Sequence, residues 1–154
     1  MFGKMAGIST LEIDEKLKTV PNFLGAYAYD ELPEKPTGDF SIIVNTEPGT
    51  EPGDHWIPII CQNNIVYFVD SFGRAPTNPL FSKEFKETIR TFISGYKRRW
   101  NNRMIQYIFS NVCGEYSIYF IREMQTKTMF DVLSIFGVDL RRNDSLVVKI
   151  VNSY

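Results

Sequence analysis

The sequence is poor in the residue types from which disulfide frameworks and metal centres are built. Cys61 and Cys113 are its only cysteines, and His55 is its only histidine. Two distant thiols do not form the framework of a small secreted protein, and together with one histidine they match no zinc-ligand spacing. We therefore expect free thiols in a reducing compartment and no metal centre.

Long apolar runs and an excess of one charge are absent as well. No apolar stretch reaches the roughly 18 residues that a membrane span needs. With a formal net charge of −1, the chain has no overall positive field that would attract nucleic acid or a membrane surface. With 44% hydrophobic and 14% aromatic residues, the chain can still build a packed core. We expect a single domain over residues 1–154 and no membrane partner.

Helix and strand patterns alternate without a repeated βαβ unit, which predicts an α+β fold. Helices are predicted from the capping box at Ser9 to about 19, after Ser82, from about 113 to 125 with Ser110 or Asn111 as the cap, after Thr128, and after Asn143-Asp144. Strands are predicted over 40–44, 55–61, 65–70 and 104–109.

Two apolar runs on either side of Asn63-Asn64 predict a β-hairpin, because Asn tolerates the left-handed conformation of a two-residue turn. A two-residue turn pairs Gln62 with Ile65, and the same register places Ile57 opposite Asp70. His55 lies on the same face as Ile57, since side chains alternate along a strand. His55 and Asp70 are therefore predicted to be diagonal neighbours, within reach of an imidazole–carboxylate hydrogen bond.

Cys113 lies at a predicted helix start, where the backbone N–H groups and the helix dipole favour a thiolate. Gly114 leaves room for a substrate beside the sulfur. The N–H of Cys113 and the side chain of Gln106 are candidate donors to an oxyanion. With His55 as base and Asp70 to orient it, these are the parts of a cysteine acyl-transfer site.

Each candidate also has an ordinary structural explanation. A lone histidine in an apolar strand is more often a core residue, and Asp70 precedes a turn. Cys113 could be a small buried hydrophobic residue. Cys61 lies within a strand and fits the core better than a nucleophile, and Ser71 is a weaker rival nucleophile with nothing to activate it.

Four segments then resemble adenovirus-type maturation proteases (adenain) in order and spacing. They are Asn22-Phe23-Leu24-Gly25-Ala26-Tyr27, Ile43-Val44-Asn45-Thr46 followed by Gly53-Asp54-His55-Trp56, Tyr67-Phe68-Val69-Asp70-Ser71-Phe72-Gly73, and Gln106 with Cys113-Gly114. The resemblance covers about residues 20–125.

The resemblance implies a papain-like fold in permuted His-Asp-Gln-Cys order, with a central mixed sheet flanked by helices. It implies that Cys113 is the nucleophile, that His55 is its base and that Asp70, where adenain has Glu, orients His55. Gln106 and the Cys113 N–H would form the oxyanion hole. It further implies an endopeptidase that cleaves capsid or core precursor proteins after Gly, in (Met/Ile/Leu)-x-Gly-x or (Met/Ile/Leu)-x-Gly-Gly motifs, during virion maturation. Such a protein would act in the virion and in the nucleus or cytoplasm of the host cell.

The sequence departs from adenain in its means of activation. Adenain is joined to an activating peptide through a cysteine between its acid and its nucleophile, and no cysteine lies between Asp70 and Cys113. We expect no cofactor for the chemistry, and an activating peptide would have to bind without a disulfide. DNA is the weaker candidate, because the basic cluster of Arg90, Lys97–Arg99 and Arg103 fits a solvated helix face better.

Two other functions stay open. One is an isopeptidase that removes a ubiquitin-like modifier, which would share the residue order and a Gly-Gly substrate end. The other is a catalytically inactive capsid-associated protein that kept the fold.

Overall fold

The computed structural model describes residues 7–154, and within them five strands form one mixed sheet. In chain order the elements are α1 (Thr10–Leu17), β1 (Phe23–Ala28), a 3₁₀ turn (Tyr29–Glu31), β2 (Phe40–Asn45), β3 (Trp56–Gln62), β4 (Ile65–Phe68), α2 (Lys83–Phe92), β5 (Lys97–Trp100), α3 (Cys113–Glu123), α4 (Met129–Leu133) and α5 (Leu140–Asn152). The predicted α+β class, with a central mixed sheet flanked by helices, is confirmed.

The strands follow one another across the sheet in sequence order. β1 pairs parallel with β2, the strands β2, β3 and β4 are antiparallel, and β5 pairs parallel with β4. The predicted hairpin register is confirmed, because Gln62 pairs with Ile65. Asn63 and Asn64 both adopt positive φ, at 52° and 63°, as a two-residue hairpin turn requires.

Helices cover both faces of the sheet, and side-chain alternation divides the core accordingly. On one face, Phe85 and Ile89 of α2 pack against alternate residues of β2, β3 and β4. On the other face, α1 and α5 pack with α3, whose Tyr116 and Phe120 are fully buried. Full burial of each large apolar side chain contributes about 1.5–3 kcal/mol, so the two layers hold the strand ends in fixed positions.

Three of the predicted helix starts are confirmed by their caps. The Ser9–Glu12 capping box opens α1, with both of its reciprocal hydrogen bonds. The Ser82 side chain accepts the N–H of Phe85 in the first turn of α2, and the Thr128 side chain accepts that of Asp131 in α4.

The predicted strand over 104–109 is wrong. This segment is irregular, because the N–H groups of Ile105 and Gln106 both donate to the carbonyl of Ser71 and so cannot join a strand ladder. The fifth strand lies instead at 97–100, just after Gly95, where Lys97 pairs with Ile65. The sequence prediction also missed β1.

Two predicted helix caps are wrong as well. Val112 precedes α3 without a side-chain cap, since the hydroxyl of Ser110 donates to the carbonyl of Tyr107. The last helix begins at Leu140, with Asp139 rather than Asn143 as its cap. The Asn143 amide is used for tertiary contacts instead, to the carbonyls of Ile105 and Gly137.

Within residues 7–154, no helix is long and apolar enough to cross a membrane. Over the same range, no three His, Cys, Asp or Glu side chains lie close enough together to hold a metal ion.

Candidate active site

The hairpin places His55 and Asp70 side by side at the end of the sheet. Nε2 of His55 lies 2.7 Å from Oδ1 of Asp70, and neither side chain is more than 6% exposed. The ladder extends past the assigned end of β4, because the N–H of Val69 donates to the carbonyl of Pro58. The contact between His55 and Asp70 therefore follows from the two-residue turn and the alternation of the strands.

Two further donors hold the Asp70 carboxylate. Nε of Arg74 donates to Oδ2 at 2.6 Å, and the N–H of Phe72 donates to Oδ1 at 3.0 Å. Burial raises the pKa of Asp70, but the hydrogen bonds and charges of His55 and Arg74 outweigh it and hold that pKa below its usual value. Asp70 is thus a charged acceptor for His55 at neutral pH.

The turn after Asp70 also fixes the imidazole plane. The ring of Phe72 stacks on His55, with centroids 4.6 Å apart and planes 19° apart. Gly73 closes the turn by donating its N–H to the carbonyl of Asp70, at a φ of 76°. A Cβ at Gly73 would also come within 2.6 Å of the backbone of Arg103, so only glycine fits here.

Cys113 meets His55 from the first turn of α3. The sulfur lies near enough to the imidazole to raise the pKa of His55, and because Nε2 of His55 is engaged by Asp70, Nδ1 is the ring nitrogen left to interact with the sulfur. The N–H of Trp56 lies 3.4 Å from the same sulfur. The sulfur thus lies among three favourable groups: an imidazole, a backbone donor and a helix start.

The His55 pKa reflects this environment. Burial lowers that pKa, but the hydrogen bonds to Asp70 and Cys113 and their charges raise it to about 9, from an ordinary value of 6.5. The ring is therefore protonated at neutral pH. Because the pKa is raised on folding, the stability that this provides is complete below about pH 6.5 and is lost as the pH rises through about 9.

NMR titration can measure the His55 pKa directly, since the chain has no other histidine. We expect its imidazole C–H resonances to shift with a midpoint near pH 9. In Cys113→Ala the contributions of the sulfur disappear, so the midpoint should fall below that of the native protein. A midpoint near 6.5 in both proteins would show that His55 is not paired as the structure describes.

Gln106 lies in the same cleft, although its segment is not a strand. Its side chain is 1% exposed. The amide oxygen accepts from Oγ of Ser71 at 2.6 Å, and Nε2 donates to Oγ of Ser110 at 3.0 Å. Three of the four predicted site residues, His55, Gln106 and Cys113, therefore line one cleft, and the buried Asp70 lies behind His55.

The cleft has a volume of about 1270 Å³. This is larger than the roughly 300–1,000 Å³ of a small-molecule pocket and fits a segment of polypeptide better. Leu80, Ile108 and Phe109 line it and are 80%, 59% and 85% exposed, so they offer apolar surface at its rim. The room that Gly114 leaves is filled by Ile8 rather than open to a substrate, because a Cβ at Gly114 would lie 2.1 Å from the Ile8 side chain.

The predicted basic cluster is only partly assembled. Arg103 is not part of this cluster, because its guanidinium donates to the carbonyls of Leu133 and Phe136 near the end of α4. Lys97, Arg98 and Arg99 lie on the edge strand β5 rather than at a helix end.

The sequence prediction missed the residues that support the site. Arg74 and Phe72 follow Asp70 within four positions, but no spacing rule connects them to a histidine fifteen or more positions away. Asn101 donates to the carbonyl of Asp70 at 2.9 Å, across an irregular loop. Ser71, considered as a rival nucleophile, donates its hydroxyl to Gln106 instead.

Comparison with known proteins gives a fold likeness. No protein-family model and no curated protein matches the chain. Two crystal structures of the ASFV pS273R protease, one of them the Se-Met form, match with a TM-score of 0.54 and 16% sequence identity. The matches cover 90% and 91% of this chain but only 65% and 66% of those chains. The chain therefore shares the fold of that protease and spans about two thirds of its length.

Proposed function

We propose that the protein is a cysteine endopeptidase of the adenain type. The observation that carries this proposal is the connected arrangement of Asp70, His55 and Cys113, with the 2.7 Å carboxylate–imidazole contact buried behind the sulfur. The shared fold with the ASFV pS273R protease and the polypeptide-sized cleft support the same function.

The proposed reaction is acyl transfer through a thioester. The thiolate of Cys113, paired with protonated His55, attacks the substrate carbonyl, and the resulting oxyanion accepts from the Cys113 N–H and from Nε2 of Gln106. His55 gives its Nδ1 proton to the leaving amine as the C–N bond breaks. His55 then takes a proton from water, whose oxygen attacks the thioester and releases the acid, so that the thiolate and the protonated imidazole are regenerated.

We further propose that the attacked carbonyl belongs to glycine. Ile8 and Trp56 pack against Gly114, the residue that follows Cys113, and leave no room for a further side chain there. A substrate residue without a side chain fits such a position best. Capsid or core precursor proteins of a virus are the proposed substrates, processed in the virion and in the nucleus or cytoplasm of the host cell.

Any activating peptide is proposed to bind without a covalent link. Cys61 is 1% exposed within β3, and burial raises its pKa, so it is a poor partner for a disulfide. DNA stays the weaker candidate, because the Arg103 guanidinium is already used within the fold.

A peptide library with a fixed central glycine tests the proposed function. The native protein and Cys113→Ala are incubated with the library, and the products are identified by mass spectrometry. Cleavage after glycine by the native protein alone supports the proposal, whereas identical product lists contradict it. A ubiquitin-like probe with an electrophilic C-terminus is run in parallel, and labelling of Cys113 by the probe without peptide cleavage would identify an isopeptidase.

We expect Gln106→Ala to lower kcat by about 100–1,000-fold with little change in KM. An oxyanion donor matters once charge develops on the carbonyl oxygen, so its loss affects the transition state more than substrate binding. Steady-state kinetics on one cleaved peptide measures both constants. A variant altered only in KM would make Gln106 a substrate contact instead.

A further inference from the structure

Ser71 connects the proposed acid to the proposed oxyanion donor. It follows Asp70 directly and is 2% exposed. Its hydroxyl donates to Oε1 of Gln106 at 2.6 Å, and its carbonyl accepts the N–H groups of Ile105 and Gln106 at 2.9 and 3.1 Å. One residue thus holds both the backbone and the side chain of Gln106.

The contacts at the other end of the amide determine its orientation. The Ser110 hydroxyl donates to the carbonyl of Tyr107, so its oxygen faces Gln106 as an acceptor. The carbonyl of Ser110, 3.3 Å from Nε2, can only accept. The nitrogen of Gln106 must therefore face Ser110, and its oxygen must face Ser71. Nε2 thus has two acceptors on Ser110, the hydroxyl at 3.0 Å and the carbonyl at 3.3 Å, and one N–H shared between them leaves the second hydrogen for an oxyanion.

We propose that Ser71 is a positioning residue, whose hydroxyl keeps the Gln106 amide turned with its nitrogen toward the oxyanion. This inference rests on the proposed protease function. Without the hydroxyl, Oε1 of Gln106 loses its buried donor, and only the contacts with Ser110 hold the amide. The same turn would then set the position of Asp70 and of Gln106 together, which joins the acid and the oxyanion hole in a single element.

The test compares Ser71→Ala with Ser41→Ala. Both serines are 2% exposed, but the Ser41 hydroxyl has no hydrogen-bond partner among the described residues. We expect Ser71→Ala to lower kcat by about 10-fold, with KM unchanged within about twofold, as the loss of one hydrogen bond implies. Ser41→Ala should keep the native kcat. Ser71→Cys, which fills the same space with a weaker donor, should lose less than Ser71→Ala.

A double-mutant cycle with Gln106→Ala identifies the route of the effect. If Ser71 acts through Gln106, then Ser71→Ala causes no further loss of kcat in the Gln106→Ala background. The NMR midpoint of His55 should also be the same in Ser71→Ala as in the native protein. An equal loss in both backgrounds, a shifted His55 midpoint, or a native kcat in Ser71→Ala would each overturn the positioning role alone. Absence of turnover in the native protein would overturn the protease function and this inference together.

Discussion

Replacement of Cys113 by alanine should abolish peptide cleavage, with a fall in kcat of about 10⁶-fold, because no other group can form the acyl intermediate. Cys61→Ala is the matched control, and it should retain the native kcat because Cys61 packs in the core between the sheet and α2. Product formation from one glycine-containing peptide, followed by mass spectrometry, measures both variants. Turnover by Cys113→Ala would remove the nucleophile from the proposed mechanism.

The rates of alkylation by iodoacetamide compare the reactivity of the two thiols. Cys113 is 7% exposed at the cleft and Cys61 is 1% exposed in the core. We expect iodoacetamide to label Cys113 much faster, because the imidazole of His55 and the start of α3 lie beside its sulfur, while burial raises the pKa of Cys61. Equal labelling in the folded protein would contradict an activated thiolate.

Asp70→Asn should lower kcat by about 10⁴-fold and still leave more activity than His55→Ala. The carboxylate accepts from His55 and Arg74 with different oxygens, and an asparagine has only one oxygen. If that oxygen faces His55, the amide nitrogen meets the Nε donor of Arg74. If the amide turns, the nitrogen meets His55 and favours the wrong tautomer.

The double variant Asp70→Asn/Arg74→Gln tests this explanation. The amide oxygen that Arg74→Gln introduces can accept from the new asparagine nitrogen, so kcat should recover in part compared with Asp70→Asn. Arg74→Gln alone provides the reference for loss of the ion pair. A native kcat in Asp70→Asn would mean that Asp70 does not orient His55, and failure of the double variant to recover would mean that Arg74 does not set the orientation.

The sequence determined the part of the site that depends on local geometry. The contact between His55 and Asp70 follows from a two-residue turn and the period-two alternation of strands, which act over a separation of 15 residues. The helix start at Cys113 also follows from the sequence, although Val112 rather than Ser110 or Asn111 precedes it as the cap. Sequence spacing alone did not bring the sulfur to His55, and the resemblance to adenain supplied that pairing.

Only the tertiary structure decided how Gln106 and the acid are held. The segment around Gln106 has an apolar composition typical of a strand, but Ser71, thirty-five residues earlier, takes its backbone donors. Strand β5 could not be predicted for the same reason, since it pairs with β4, and the whole of α2 lies between these two strands in the sequence. Hydrogen bonds between distant segments leave no periodic pattern in the sequence, so the fold class and the reactive residues could be predicted, whereas the contacts that orient those residues could not.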